Sequence, residues 1–165
     1  MIEYYERLFL TLTLIVLAVF MGAIFYGLIV HQIEVPHSAG QIDPSDVEST
    51  EPFNDPGVVE VAPGEYQVNM VARAFSFSPR EIRIPVGSSV SFAITTVDVI
   101  HGFRLFDTNL NVMLIPGEIA AVKHTFDEPG EYTFVCHEYC GLGHQAMFGT
   151  LYVEDTPAAA ARADQ

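Results

Sequence analysis

Hydrophobic and polar positions follow three regimes along this chain. From Leu8 to Val30 the sequence runs LFLTLTLIVLAVFMGAIFYGLIV without a charged side chain, long enough at about 1.5 Å per residue to cross roughly 30 Å of hydrocarbon. Beyond residue 64 the apolar positions recur at every second residue: Tyr66, Val68 and Met70; Ile82 and Ile84; Val90, Phe92 and Ile94; Ala120 and Val122; Tyr132 and Phe134; Leu151 and Val153. Pro-Gly, Gly-Ser and Asp-Glu-Pro-Gly steps separate these runs, and the pattern predicts short strands in an all-β sandwich. Between the two regimes, prolines at 36, 44, 52, 56 and 63 and several acids break any period, so 34–63 reads as linker and loop, with the first strand of the domain near Glu65. The alanine-rich end reads as disordered. The expected organisation is a membrane anchor over 1–33, a linker over 34–63, a β domain over 64–155 and a tail over 156–165.

A cleaved signal and a buried core helix compete with the anchor reading. The apolar run exceeds the roughly 7–15 residues of a signal core, and no small-x-small cleavage site follows it. Its length also disfavours a core helix. Gly22 and Gly27 do not form the GxxxG helix-pairing motif. Arg7 is the positive charge closest to the span, whereas His31, Glu34 and His37 follow it. The N-terminus is therefore expected inside and the domain on the periplasmic or extracellular face of the cell membrane.

Charge narrows the partners. The 165 residues carry 21 acids against 7 arginines and lysines, a formal charge of −14, which repels nucleic acid and anionic lipid and favours a basic protein partner. Lys123 is the sole lysine. A saline habitat and simple solubility are equal accounts of that acidity.

The chemistry concentrates in Cys136-His137-Glu138-Tyr139-Cys140-Gly141-Leu142-Gly143-His144-Gln145-Ala146-Met147. Thiolate and thioether favour copper in its lower oxidation state, while imidazole accepts both states, so the set suits a metal that cycles. A mononuclear blue-copper site needs one cysteine, a following histidine, a weakly held methionine and a second, distant histidine. Cys140, His144, Met147 and His101 supply these. Cys136 is a second thiol on the same loop, and two thiolates so placed can bridge two copper ions, each taking one histidine. In an oxidising compartment the same pair could instead close a disulfide, and zinc accepts a Cys/His set, although it has no use for Met147.

The loop C-x-E-x-C-G-x-x-H-x-x-M resembles that of the CuA-bearing subunit II of heme-copper oxidases. The resemblance extends to Asp98-Val99-Ile100-His101-Gly102-Phe103 and to Phe77-Ser78-Pro79 through Ile82, Ile84 and Gly87, and covers about residues 66–153. It implies a Greek-key cupredoxin sandwich behind one N-terminal transmembrane helix. It also implies a dinuclear copper centre: Cys136 and Cys140 bridge, His101 and His144 are terminal ligands, Met147 is the weak axial ligand, and Glu138 gives its backbone carbonyl. The Glu138 side chain holds magnesium at a subunit boundary in many relatives, which leaves room for that ion here. The implied partners are a catalytic, heme-bearing subunit I and a donor, cytochrome c or a small copper protein. The implied role is non-catalytic electron transfer within an oxidase that reduces oxygen.

Two departures from the common pattern stand out. One helix replaces the usual hairpin, as in B-type (ba-type) oxidases. Tryptophan is absent, so the tryptophan-rich segment that accepts the electron in common relatives has no counterpart, and Phe75 and Phe77 occupy its place. Phe103, Tyr139 and Phe148 would shield the metals from water or serve as plain core aromatics. His124 reads as a core histidine and His137 as a surface one. The span contains no histidine to hold heme, so oxygen chemistry belongs to partners. A membrane-tethered copper shuttle or carrier without an oxidase partner is the alternative. A reductase of the nitrous-oxide type shares the loop but needs a large second domain.

Overall fold

The computed structural model describes residues 2–30 and 36–155. The expected tail at 156–165, and His31 and Glu34 beside the span, lie outside the described residues. The chain divides into two units, 1–34 and 35–165.

The first unit is a single helix, α1 (Ile2–Val30). Its stretch Glu3–Val30 is long and apolar enough to cross a membrane. Leu17, Phe20 and Ile24 are all more than half exposed within the chain. A helix whose apolar side chains face outward on every side fits a lipid environment.

The second unit is a sandwich of two sheets. The first sheet contains β1 (His37–Gln41), β2 (Gly57–Ala62), β3 (Glu65–Arg73), the short β4 (Ser76–Ser78), β6 (Ser88–Thr96) and β9 (Glu118–Phe126), in the order β1-β9-β6-β3-β2 with β4 on β3. The second contains β5 (Glu81–Pro85), β7 (His101–Leu105), β8 (Asn111–Leu114), β10 (Gly130–Val135) and β11 (Phe148–Glu154), in the order β5-β11-β10-β7-β8. The β3/β6 and β5/β11 pairs are parallel, and every other pair is antiparallel.

The period-two positions read from the sequence face one another across this sandwich. Val68, Met70, Val90, Phe92 and Ile94 come from one sheet, and Ile82, Ile84, Phe134 and Leu151 from the other, all buried; Phe103 and Leu105 of β7, outside that pattern, join them. Each such side chain contributes about 1.5–3 kcal/mol of transfer free energy. Phe77 meets Phe103 and Phe134 edge to face, at 6.0 and 5.4 Å between ring centres. Edge-to-face contacts bring electron-poor ring edges onto electron-rich faces. Phe103 and Phe134 of this cluster lie on the strands that carry His101 and lead into Cys136, so the aromatic floor braces the scaffold end of the loop.

The stretch expected to be linker differs from that expectation. It contributes β1, β2 and a 3-10 turn (Val47–Ser49). Val47 and Phe53 are 0 % and 3 % exposed and join Val71 in a second small core, packed by Ile42, Ala93, Val97 and Ile119. Prolines and acids hid two isolated apolar anchors that act through tertiary contact rather than through a local period. The pairs His37↔Ala121 and Val58↔Val68 stitch this stretch into the sheet, so the domain begins near residue 36 and not at 64.

Candidate metal centre

β10 and β11 are paired up to Val135↔Phe148, and the backbone N–H of Cys136 donates to the Met147 carbonyl at 3.0 Å. Together these close the neck of the twelve-residue loop. Inside it, a 3-10 turn (His144–Ala146) brings His144 back toward Cys140. Gly141 has φ +132°, a backbone conformation that side chains disfavour. The Phe75 ring covers Gly141 and Gly143 so closely that a Cβ at either would collide with it.

The expected ligand side chains converge. Cys136 Sγ lies 3.9 Å from Cys140 Sγ and 3.8 Å from His101 Nδ1. Cys140 Sγ lies 3.6 Å from His144 Nδ1 and 3.7 Å from Met147 Sδ. The Glu138 carbonyl oxygen sits 3.1 Å from Cys136 Sγ, while its carboxylate turns outward to His137 Nδ1 at 3.4 Å. His101, Cys136 and Met147 are buried, and Cys140 is half-buried. Both cysteines are free, and their 3.9 Å separation is far beyond the roughly 2.05 Å of a disulfide bond.

The donors suit copper. A separation of 3.9 Å is shorter than two metal–sulfur bonds of about 2.3 Å end to end. The two sulfurs are therefore close enough for both to hold the same ion. His101 Nδ1 and the Glu138 carbonyl approach Cys136, while His144 Nδ1 and Met147 Sδ approach Cys140, so each sulfur has its own nitrogen and a further weak donor beside it.

Local electrostatics prepare these groups. Asp98 Oδ1 lies 2.8 Å from His101 Nε2, which fixes the proton on Nε2 and turns the free Nδ1 lone pair toward the sulfurs. Burial pushes the Asp98 carboxyl upward, but hydrogen bonds from the Ala74 N–H, His101 and the Val99 N–H outweigh it and hold the group below its ordinary value. The Gly102 N–H donates to Cys136 Sγ at 3.5 Å. Burial and the neighbouring Cys136 push the Cys140 thiol up to about 11. Metal binding must therefore displace its proton.

Several aromatic and histidine expectations change. Phe77 is 3 % exposed within the aromatic cluster, so it has no face to offer a donor; Phe75, 38 % exposed, lies on the loop itself. Tyr139 and Phe148 are exposed and cannot form a core, whereas Phe103 is fully buried. The His137 ring is mostly buried over Gly102, with no partner for Nε2 among the described residues. His124 is only half-buried, edge-on to Phe126. The role of Asp98 went unassigned in the sequence, although its spacing of three from His101 was the available signal.

The model of the family described as cytochrome C oxidase subunit II, periplasmic domain, matches residues 65–153. The chain belongs to that family. Cytochrome c oxidase subunit 2 of Thermus thermophilus is 43% identical over 155 residues, covering 92% of each chain. A chain in the cryo-EM structure of a heme-copper terminal oxidase dimer superposes with a TM-score of 0.75 at 37% identity, over 90% of this chain and 99% of that one. The periplasmic domain of subunit II of the Bradyrhizobium japonicum oxidase shares the fold, with a TM-score of 0.55 at 19% identity over 59% of this chain and 90% of that one. Nitrous-oxide reductase of Cupriavidus necator matches over 53% of this chain but only 14% of its own length. This subunit II is thus a heme-copper oxidase component, part of an oxidoreductase complex, with a copper-protein sandwich and one apolar helix that marks it as a single-pass membrane protein.

Proposed function

We propose that this subunit is where electrons enter its oxidase, through a dinuclear copper centre of the CuA type. Cys136 and Cys140 would hold the ions jointly, with His101 and His144 as the nitrogen donors and Met147 and the Glu138 carbonyl as the weaker ones. The observation that carries this reading is the pair of sulfurs 3.9 Å apart with separate donors approaching each. When bound, such a centre shares one electron over two ions held by the same sulfurs, so each bond changes little and the reorganisation barrier is low.

The chain's own residues do the rest. Asp98 holds the His101 tautomer, the Gly102 N–H polarises the Cys136 sulfur, and the aromatic floor resists relaxation of the ligands. Phe75, Tyr139 and Leu142, the last 89 % exposed, surround the loop with apolar surface and receive cytochrome c or a small copper protein. The electron then passes to heme in catalytic subunit I, which reduces oxygen. The domain stands on the periplasmic or extracellular side. A magnesium ion at the Glu138 carboxylate would draw its remaining oxygen ligands from subunit I or water, since magnesium requires six.

The deciding experiment is metal analysis with electron paramagnetic resonance on the copper-loaded full chain in detergent. Two coppers per chain sharing one unpaired electron is the expected result. One copper, or zinc, would overturn the reading.

A further inference from the structure

The chain is acidic, yet its few cations are not scattered. The described part of the domain carries five arginine and lysine side chains: Arg73, Arg80, Arg83, Arg104 and Lys123. Arg83 on β5 and Arg104 on β7 alternate with buried residues and so project from the outer face of the five-stranded sheet. Arg80, just before β5, lies over Phe148 of the same face. Each guanidinium is stacked on an aromatic ring: Arg80 is 5.0 Å from the centre of Phe148, Arg83 is 4.2 Å from Tyr152, and Arg104 is 5.5 Å from Phe106.

Their charges are not equally satisfied. Arg83 is neutralised by Glu154 at 2.6 Å and approached by Glu81 at 3.8 Å. Arg80 and Arg104 make no ion pair with any described residue. Arg80 instead donates from Nε to the Phe148 carbonyl at 3.1 Å, which fixes its plane. Phe106, Phe148 and Met113 are 42 %, 45 % and 48 % exposed. Arginine, aromatic and methionine side chains are the types enriched at protein interfaces. Stacked guanidinium groups also have less freedom left to lose when they bind.

We propose that the outer face of the β5-β11-β10-β7-β8 sheet docks the catalytic subunit of the oxidase, on a patch where carboxylates pair with Arg80 and Arg104 and apolar surface covers Phe106 and Phe148. The inference rests on the reading of this chain as an oxidase subunit. Other occupants fit worse. A mobile donor has the apolar ring of Phe75, Tyr139 and Leu142 around the loop. A second copy meeting this face symmetrically would set arginine against arginine. An anionic lipid surface is repelled by the formal charge of −14. Phe148 directly follows Met147, whose carbonyl anchors Cys136, so a partner seated on the Arg80–Phe148 pair lies one residue from the donor set.

The test uses the intact oxidase in detergent. Tagged full-length subunit II, either wild type or with Arg80→Glu and Arg104→Glu together, is expressed beside its catalytic subunit, and the heme recovered per copper is measured as salt rises. The expected result is at least a tenfold loss of heme per copper in the double variant with an unchanged copper spectrum. Arg80→Lys with Arg104→Lys should retain more than the reversal, and Lys123→Glu, on the other sheet, should retain wild-type recovery. Wild-type recovery in the double variant, or loss only of donor-driven turnover or of self-association, would overturn the docking assignment while leaving the oxidase reading intact. Failure of the wild-type chain to recover heme would overturn both.

Discussion

Asp98 Oδ1 and His101 Nε2 lie 2.8 Å apart, and the same carboxylate also accepts the backbone N–H groups of Ala74 and Val99. One side chain thus ties the end of β3, the turn before β7 and an expected ligand into a single unit. Asp98→Asn retains the shape but removes the charge that favours the Nε2–H tautomer. The expected outcome is a loss of about 10–100-fold in copper affinity, as for other partners of metal-bound histidines, with the fold intact. Competition against a copper chelator measures it, and unchanged affinity would overturn the positioning role.

Gly102 and His137 form a second pair. A Cβ at Gly102 would sit 2.5 Å from the imidazole atoms of His137, so Gly102→Ala should destabilise the protein by about 1–3 kcal/mol through overpacking. His137→Ala in the same chain should restore most of that loss, because the obstructing ring is gone. Thermal melting of the two single variants and the double variant supplies the cycle. Additive effects would show that the two residues do not compete for the same space.

Phe75 and Phe77, adjacent in the sequence pattern, should separate in experiment. Phe77→Ala should cost about 3–5 kcal/mol of stability, as expected for emptying an aromatic core. Phe75→Ala should leave melting little changed and lower turnover with the electron donor, because its ring is half outside and rests on the loop. The measurements are the melting temperature and donor-driven oxygen uptake of the assembled oxidase. A large stability loss in Phe75→Ala would return that residue to a structural role.

His124 gives a pH dependence with a defined sign. Burial lowers its pKa, opposed by Asp127, so the folded chain keeps it neutral further into acid than the unfolded chain does. Above the unfolded value of about 6.5 both states are neutral. As pH falls through that value, the unfolded state gains a proton first and stability drops. His124→Gln should flatten this decline, read as the difference in melting temperature between variant and wild type from about pH 7 to pH 5. Parallel declines would remove His124 as the cause.

The strands built on runs such as Tyr66-Val68-Met70 and Val90-Phe92-Ile94 were legible because each alternates against the same core. The metal loop was legible because its ligands are close in sequence. β7 was not, since His101-Gly102-Phe103 contributes three consecutive buried residues and breaks the period, and β8 alternates over only four residues, too short a run to stand out. β1 and β2 escaped for another reason: their contribution depends on Val47 and Phe53 finding Val71, a contact no local pattern encodes. Cutting the chain at residue 60 would remove β1 and half of β2, whereas a cut at 35 preserves both. A soluble piece that keeps both strands therefore starts near residue 35 rather than at the 64 that the sequence pattern suggests.

The hydrogen bond from Cys136 to Met147 makes the loop a cassette with a fixed mounting. His101 alone of the six expected donor groups belongs to the scaffold; the rest ride on the twelve residues between the two clamped ends. Residues inserted or deleted inside those ends would alter the donor set, while the sandwich registers the same two anchor points. A few codons can thus rewrite the donor set without touching the strands that carry the sandwich.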